Sequence, residues 1–114
     1  MQTHTMKLQQ SPFLSIQRGN KTVEMRLYDY KRSAIQVGDC IIFKNDTTGE
    51  CLSCLVVNLR ICASFEELYA CYDKIALGYT AEEEPNPKDM QNYYTQEDIE
   101  KYGVVGIEIK LHHE

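Results

Sequence analysis

Three charged side chains stand close together near the start of the chain, in Gly19-Asn20-Lys21-Thr22-Val23-Glu24-Met25-Arg26. In an extended strand Glu24 and Arg26 share one face, about 7 Å apart. That is near enough to act on one ligand or to pair with each other. Lysine and arginine can hold a phosphate or a carbonyl oxygen, and a carboxylate can accept hydrogen bonds from an exocyclic amine. The trio can therefore act together on one polar ligand. Tyr28 falls on the same face, where it offers an aromatic stacking surface or packs against its neighbours. If the protein is an enzyme, Lys21 and Glu24 are its acid–base pair. A lysine becomes a base or nucleophile when desolvation lowers its pKa, and a neighbouring carboxylate works against that.

Other constellations carry less. Cys51-Leu52-Ser53-Cys54 has the spacing of zinc and redox sites, but the second ligand pair of a zinc site is missing. An odd separation on a strand also points the two thiols to opposite faces. His4, His112 and His113 could meet around a metal only if the terminal strands paired. Ser64 is accounted for as the cap of a helix in Ser64-Phe65-Glu66-Glu67. The reading is that no metal and no cofactor is held. The five cysteines, an odd number, argue against a disulfide framework.

The elements that position the trio follow from periodicity. Ser11-Pro12, with Phe13, Leu14 and Ile16 before Gly19, reads as a short helix with serine as N-cap and glycine as terminator. A strand starts at about Lys21, with Val23, Met25 and Leu27 inward and Thr22, Glu24, Arg26 and Tyr28 on the other face. Ile41, Ile42 and Phe43 mark a second strand after Val37-Gly38-Asp39. A third follows the turn at Asn45–Gly49, with Leu55, Val57, Leu59 and Ile61 on one side. Val105, Ile107, Ile109 and Leu111 form a last strand, and Thr5–Leu8 adds a short edge strand. Helices start at Ser64, with a stripe of Phe65, Leu68, Tyr69 and Tyr72, and at Thr95, ending at Gly103. Between them lies an acidic, proline-broken loop, Glu82–Pro87.

At 114 residues, 43% hydrophobic and 25% charged, the chain is expected to form a single domain over residues 1–114. No apolar run approaches the ~18 residues of a membrane span. Met1-Gln2-Thr3-His4-Thr5 lacks the layout of a signal peptide, so no membrane partner and a cytoplasmic location are expected. The net charge of −5 is uneven: residues 1–60 carry eight Lys/Arg against five Asp/Glu, and residues 61–114 carry four against twelve. Arg18, Lys21, Arg26, Lys31 and Arg32 make the densest basic segment. A local patch of this kind can bind a phosphate even on an acidic protein, because salt screens charges beyond about 8 Å.

Gly19-x-Lys21-x-x-Glu24-x-Arg26 resembles the GxKxxExR signature of the ASCH domain, a branch of the PUA-like superfamily. The resemblance extends to His4-Thr5-Met6-Lys7-Leu8, Val37-Gly38-Asp39, Ser64-Phe65-Glu66-Glu67-Leu68 and Tyr102–Ile109. It implies an α+β fold: a small PUA-like, mostly antiparallel β-barrel of about five or six strands, with short helices around the rim. It also implies an RNA- or nucleotide-binding module whose cleft is lined by Lys21, Glu24 and Arg26. The partner would be single-stranded RNA or a nucleotide-like small molecule. A related amidohydrolase group, acting on acetylated cytidine, carries threonine in place of Glu24. It also has a further glutamate downstream, for which this sequence shows no clear equivalent; Asp73 is only the nearest carboxylate. The alternatives are therefore a hydrolase acting on a modified nucleoside or RNA, and a protein-interaction domain whose acidic second half docks a basic protein partner.

Overall fold

The computed structural model of the protein describes residues 1–112. Five strands form one sheet: β1 (Thr3–Leu8), β2 (Val23–Leu27), β3 (Cys40–Asn45), β4 (Cys51–Cys62) and β5 (Val104–Leu111). Their spatial order is β1-β3-β4-β5-β2. β1 runs parallel to β3, and the other three pairings are antiparallel. The sheet curls into a half-barrel, so the edge strands β1 and β2 approach each other across an open seam. Around it lie α1 (Gln10–Gln17), α2 (Tyr30–Ser33), α3 (Phe65–Tyr69), α4 (Lys74–Leu77) and α5 (Gln96–Tyr102), with a 3-10 helix at Pro87–Asn92. The α+β class, the strand number and the short rim helices agree with the sequence. No described helix is long and apolar enough to cross a membrane.

The alternation along β2 explains how charges come to lie inside. Val23, Met25 and Leu27 pack with Phe65, Leu68, Leu77, Met90 and Ile99 beneath the helices. Each such side chain contributes about 1.5–3 kcal/mol through burial. The opposite face is not solvent. Glu24 and Arg26 pair across the sheet with Ile107 and Val105, which belong to the half-barrel interior with Phe13, Phe43 and Val56. Directly opposed residues share a face. Glu24 and Arg26 therefore point inward, and both faces of β2 are covered.

Three local expectations are corrected. The first helix begins at Gln10 with Gln9 as N-cap, and no side chain caps it. Ser11 and Pro12 sit in its first turn, because proline there forfeits no hydrogen bond. Its end is as read: Gly19 has φ 83°, and the N–H groups of Gly19 and Asn20 close on the carbonyls of Ile16 and Ser15. Glycine reaches that left-handed geometry without penalty. In β4 Leu55, Val57 and Ile61 are exposed, and Cys54 and Val56 are the buried residues. A register shift between Val56 and Asn58 then returns Leu59 to the core, as an extra residue does at a bulge. Finally, α3 stops at Tyr69. Tyr72 lies past its end, where its hydroxyl donates to Glu108 Oε2 at 2.7 Å.

Other start signals hold. Ser64 and Thr95 cap α3 and α5 through the N–H groups of Glu67 and Asp98. Cys51 is exposed and Cys54 buried, so the two thiols do turn apart. Burial and the nearby Cys40 push the Cys54 thiol up to about 11.

Asp39, in the turn that enters β3, accepts from the N–H groups of Gln2 and Gln36 and contacts His4 Nε2 at 2.8 Å. The Gln2 N–H, then His4, then the Gln36 N–H hold its carboxyl down at about 2. A carboxyl depressed in the folded state stabilises above its unfolded value of about 3.9, and the contribution is lost as pH falls towards 2. Urea unfolding at a series of pH values should therefore show stability dropping between about pH 4 and 2. Asp39→Asn should lower stability at neutral pH and flatten that drop. An unchanged acid limb would contradict this assignment.

Candidate functional site

Lys21 leaves the turn that follows α1, and its ammonium reaches two acceptors. It donates to the Leu77 carbonyl at 2.9 Å and stands 3.3 Å from Glu24 Oε1. Leu77 is the last residue of α4, where carbonyls lack partners within the helix. Gly78 then closes α4 with φ 108°. A Cβ at Gly78 would lie 3.2 Å from Lys21 Cδ. Glycine is thus required there both for the backbone and for the lysine's path.

Glu24 is the hub. Its Oε2 accepts from Arg26 Nε at 2.7 Å, while Oε1 faces Lys21. Lys21 and Glu24 are each only 6% exposed. Burial alone would raise the Glu24 carboxyl, but Lys21 and Arg26 outweigh it and hold the group below the usual carboxylate range. Burial would likewise lower the Arg26 guanidinium, and the adjacent Glu24 reverses that upward. The far end of Arg26 crosses the seam: Nη2 donates to the Lys7 carbonyl on β1 at 3.0 Å. One guanidinium therefore joins the two edge strands that no backbone ladder links.

A cavity of about 530 Å³ opens at this seam. Lys21, Glu24 and Arg26 line it, together with Tyr69, Tyr79, Tyr93 and Tyr94. Tyr79 Oη lies 2.7 Å from both Tyr69 Oη and Asp89 Oδ2. Tyr79 has one hydroxyl hydrogen and gives it to the carboxylate, so Tyr69 donates to Tyr79. Burial, then the Tyr79 hydroxyl, raise the Tyr69 phenol well above its ordinary value. Tyr94 stacks on Phe65 with centroids 6.1 Å apart and planes 14° apart, and Tyr93 is 62% exposed.

The sequence-read residues are thus distributed unequally. Lys21, Glu24 and Arg26 come together. Tyr28, just past the end of β2, packs against the half-barrel core and does not line the cavity. Arg32 pairs with Asp29 at 3.0 Å, while Arg18 and Lys31 are exposed. Asp73 caps α4 by accepting from the Ile75 N–H. Among the described residues the carboxylate within 4 Å of Lys21 is Glu24. β1 and β5 are separated by β3 and β4, which keeps His4 away from His112; His113 lies outside the described residues. Among the described residues no group of histidine, cysteine and carboxylate side chains is arranged to hold a metal ion.

The tyrosine wall escaped the sequence reading. A compositional signal was present: eight tyrosines against three phenylalanines. All three phenylalanines are buried, whereas every tyrosine keeps some exposure. A chain that withholds tyrosine from its core keeps hydroxyl-bearing rings for surfaces and cavities.

A model of the ASCH domain matches residues 6–113. The chain belongs to the ASCH domain family. Members of this family are generally thought to bind RNA. The ASCH chain is similar in structure to the hypothetical protein PH0355, with TM-score 0.78 and 32% identity, over 98% of this chain and 100% of that one. It is also similar to protein PF0455 from Pyrococcus furiosus, with TM-score 0.71 and 31% identity, over 98% and 99% of the two chains. No curated protein matches it in sequence.

Proposed function

We propose that this ASCH domain binds single-stranded RNA or a nucleotide-like small molecule in the cavity at the barrel seam. The observation that carries this reading is the convergence of Lys21, Glu24 and Arg26 on a cavity that also exposes aromatic rings. Cations supply donors to phosphate or carbonyl oxygens, and aromatic faces accept unstacked bases. Tyr93, exposed at the cavity, takes the stacking role that the sequence suggested for Tyr28. A hydrolase of the amidohydrolase type calls for a downstream carboxylate on the lysine. Asp73 is committed to α4 instead, which favours binding over turnover. The five free cysteines fit a reducing, cytoplasmic setting.

Titrating the labelled protein with short single-stranded RNA should move backbone amide signals around the cavity and leave the exposed β4 face unchanged. Tyr93→Ala should weaken binding by about 1–3 kcal/mol, the cost of one lost stacked base. Raising salt should also weaken it, as phosphate contacts release counterions. Signal changes confined to Leu55, Val57 and Ile61 would overturn the assignment and favour a protein-interaction surface.

A further inference from the structure

We infer that the cavity receives the neutral base of its ligand rather than a phosphate, and that its floor selects bases presenting a carbonyl oxygen over those presenting an amine. This rests on the RNA- or nucleotide-binding reading above.

The charge around the cavity decides between base and phosphate. Lys7, Lys21 and Arg26 line it, and so do Glu24, Asp46 and Asp89. Three cations face three carboxylates, so the lining has no formal net charge. A phosphate placed among them would meet as many repelling groups as attracting ones and would lose its water. A neutral, planar heterocycle meets neither cost and fits beside the tyrosines.

Donor counting then decides which base edge suits the floor. Of the three N–H groups of Lys21, one goes to Leu77 and one faces Glu24. Of the five on Arg26, one goes to Glu24 and one to Lys7. The remaining donors have no acceptor among the described residues. Both Glu24 oxygens are already engaged, each by a cation. The floor therefore offers unused donors and a committed carboxylate. A carbonyl oxygen completes that arrangement, whereas an exocyclic amine would set donor against donor and leave N–H groups unpaired once the ligand covers them. Glu24 is accordingly a positioning residue. It holds Lys21 and Arg26 in place and does not read the ligand.

Two matched pairs test this, because each exchanges a carbonyl for an amine, with the adjacent ring nitrogen turning from N–H donor to acceptor: uridine with cytidine, and inosine with adenosine. Calorimetric titration of the intact protein with these nucleosides, and with short single strands of uridine or cytidine, should favour the carbonyl member about tenfold. That is the worth of one hydrogen bond to a charged donor. Inorganic phosphate should not displace uridine. Glu24→Gln should lower affinity for both members of a pair and keep their order. Equal or reversed order in the unaltered protein would overturn the inference, as would displacement of uridine by inorganic phosphate. Cavity binding of single-stranded RNA without any carbonyl preference would overturn this inference alone. Absence of all RNA and nucleoside binding would overturn the underlying reading as well.

Discussion

Glu24→Ala is expected to destabilise the fold by about 3–5 kcal/mol, the usual cost of removing one partner from a buried ion pair. The reason lies in what remains. Lys21 keeps the Leu77 carbonyl, Arg26 keeps the Lys7 carbonyl, and one buried and one half-buried cation are left without their shared counter-charge. Glu24→Gln preserves the shape and some hydrogen bonding, so its loss should be smaller, about 1–3 kcal/mol. Acid should mimic the alanine change in part. The Glu24 carboxyl is held below its ordinary value, so its contribution is present above the usual carboxylate range and disappears as pH falls through the depressed folded value. Denaturant melts of the two variants at neutral pH are the measurement. Melts indistinguishable from the unaltered protein would mean that the trio is not a stabilising unit.

The second large effect concerns binding. Arg26→Ala should weaken capture of short single-stranded RNA by about 1.5–3 kcal/mol, roughly tenfold to a hundredfold. It deletes the guanidinium donors on the cavity and also the bond to β1. Arg26→Lys should recover only part of this, since a single ammonium cannot hold Glu24 and span to Lys7 as a planar fork does. Fluorescence anisotropy with a labelled RNA, on variants checked for folding by circular dichroism, reads the effect. Unchanged affinity in Arg26→Ala would remove this arginine from the binding surface.

Much of this arrangement was legible in the chain. The alternation from Val23 to Leu27 placed Glu24 and Arg26 on a common face, and the capping signals at Ser64 and Thr95 located α3 and α5. What alternation could not tell was that the face opposite Val23 would also be enclosed. That depends on sheet curvature, a property of all five strands together. The bulge in β4 was hidden for a related reason. Leu55, Val57, Leu59 and Ile61 alternate without a break, and only the register against β5 shows which apolar set the core takes. Tyr28 had the right parity but lies just past the end of β2, against the half-barrel core rather than at the opening. The tyrosines of the cavity come from α3, from the segment after α4 and from the end of the 3-10 helix. No local spacing links them to Lys21.

The pairing of β2 with β5 has a kinetic consequence. Val23 meets Glu108 and Leu27 meets Val104, so the strand that bears the charged trio must wait for a partner from the far end of the chain. Closing so long a loop is entropically demanding, and non-local pairings of this kind slow folding. The half-barrel around β3 and β4, joined by a tight turn, can organise first. The seam then forms late, and interactions absent from the folding barrier act mainly on the rate of unfolding. Loosening the contacts of Lys21, Glu24 and Arg26 is thus expected to speed unfolding more than it slows folding.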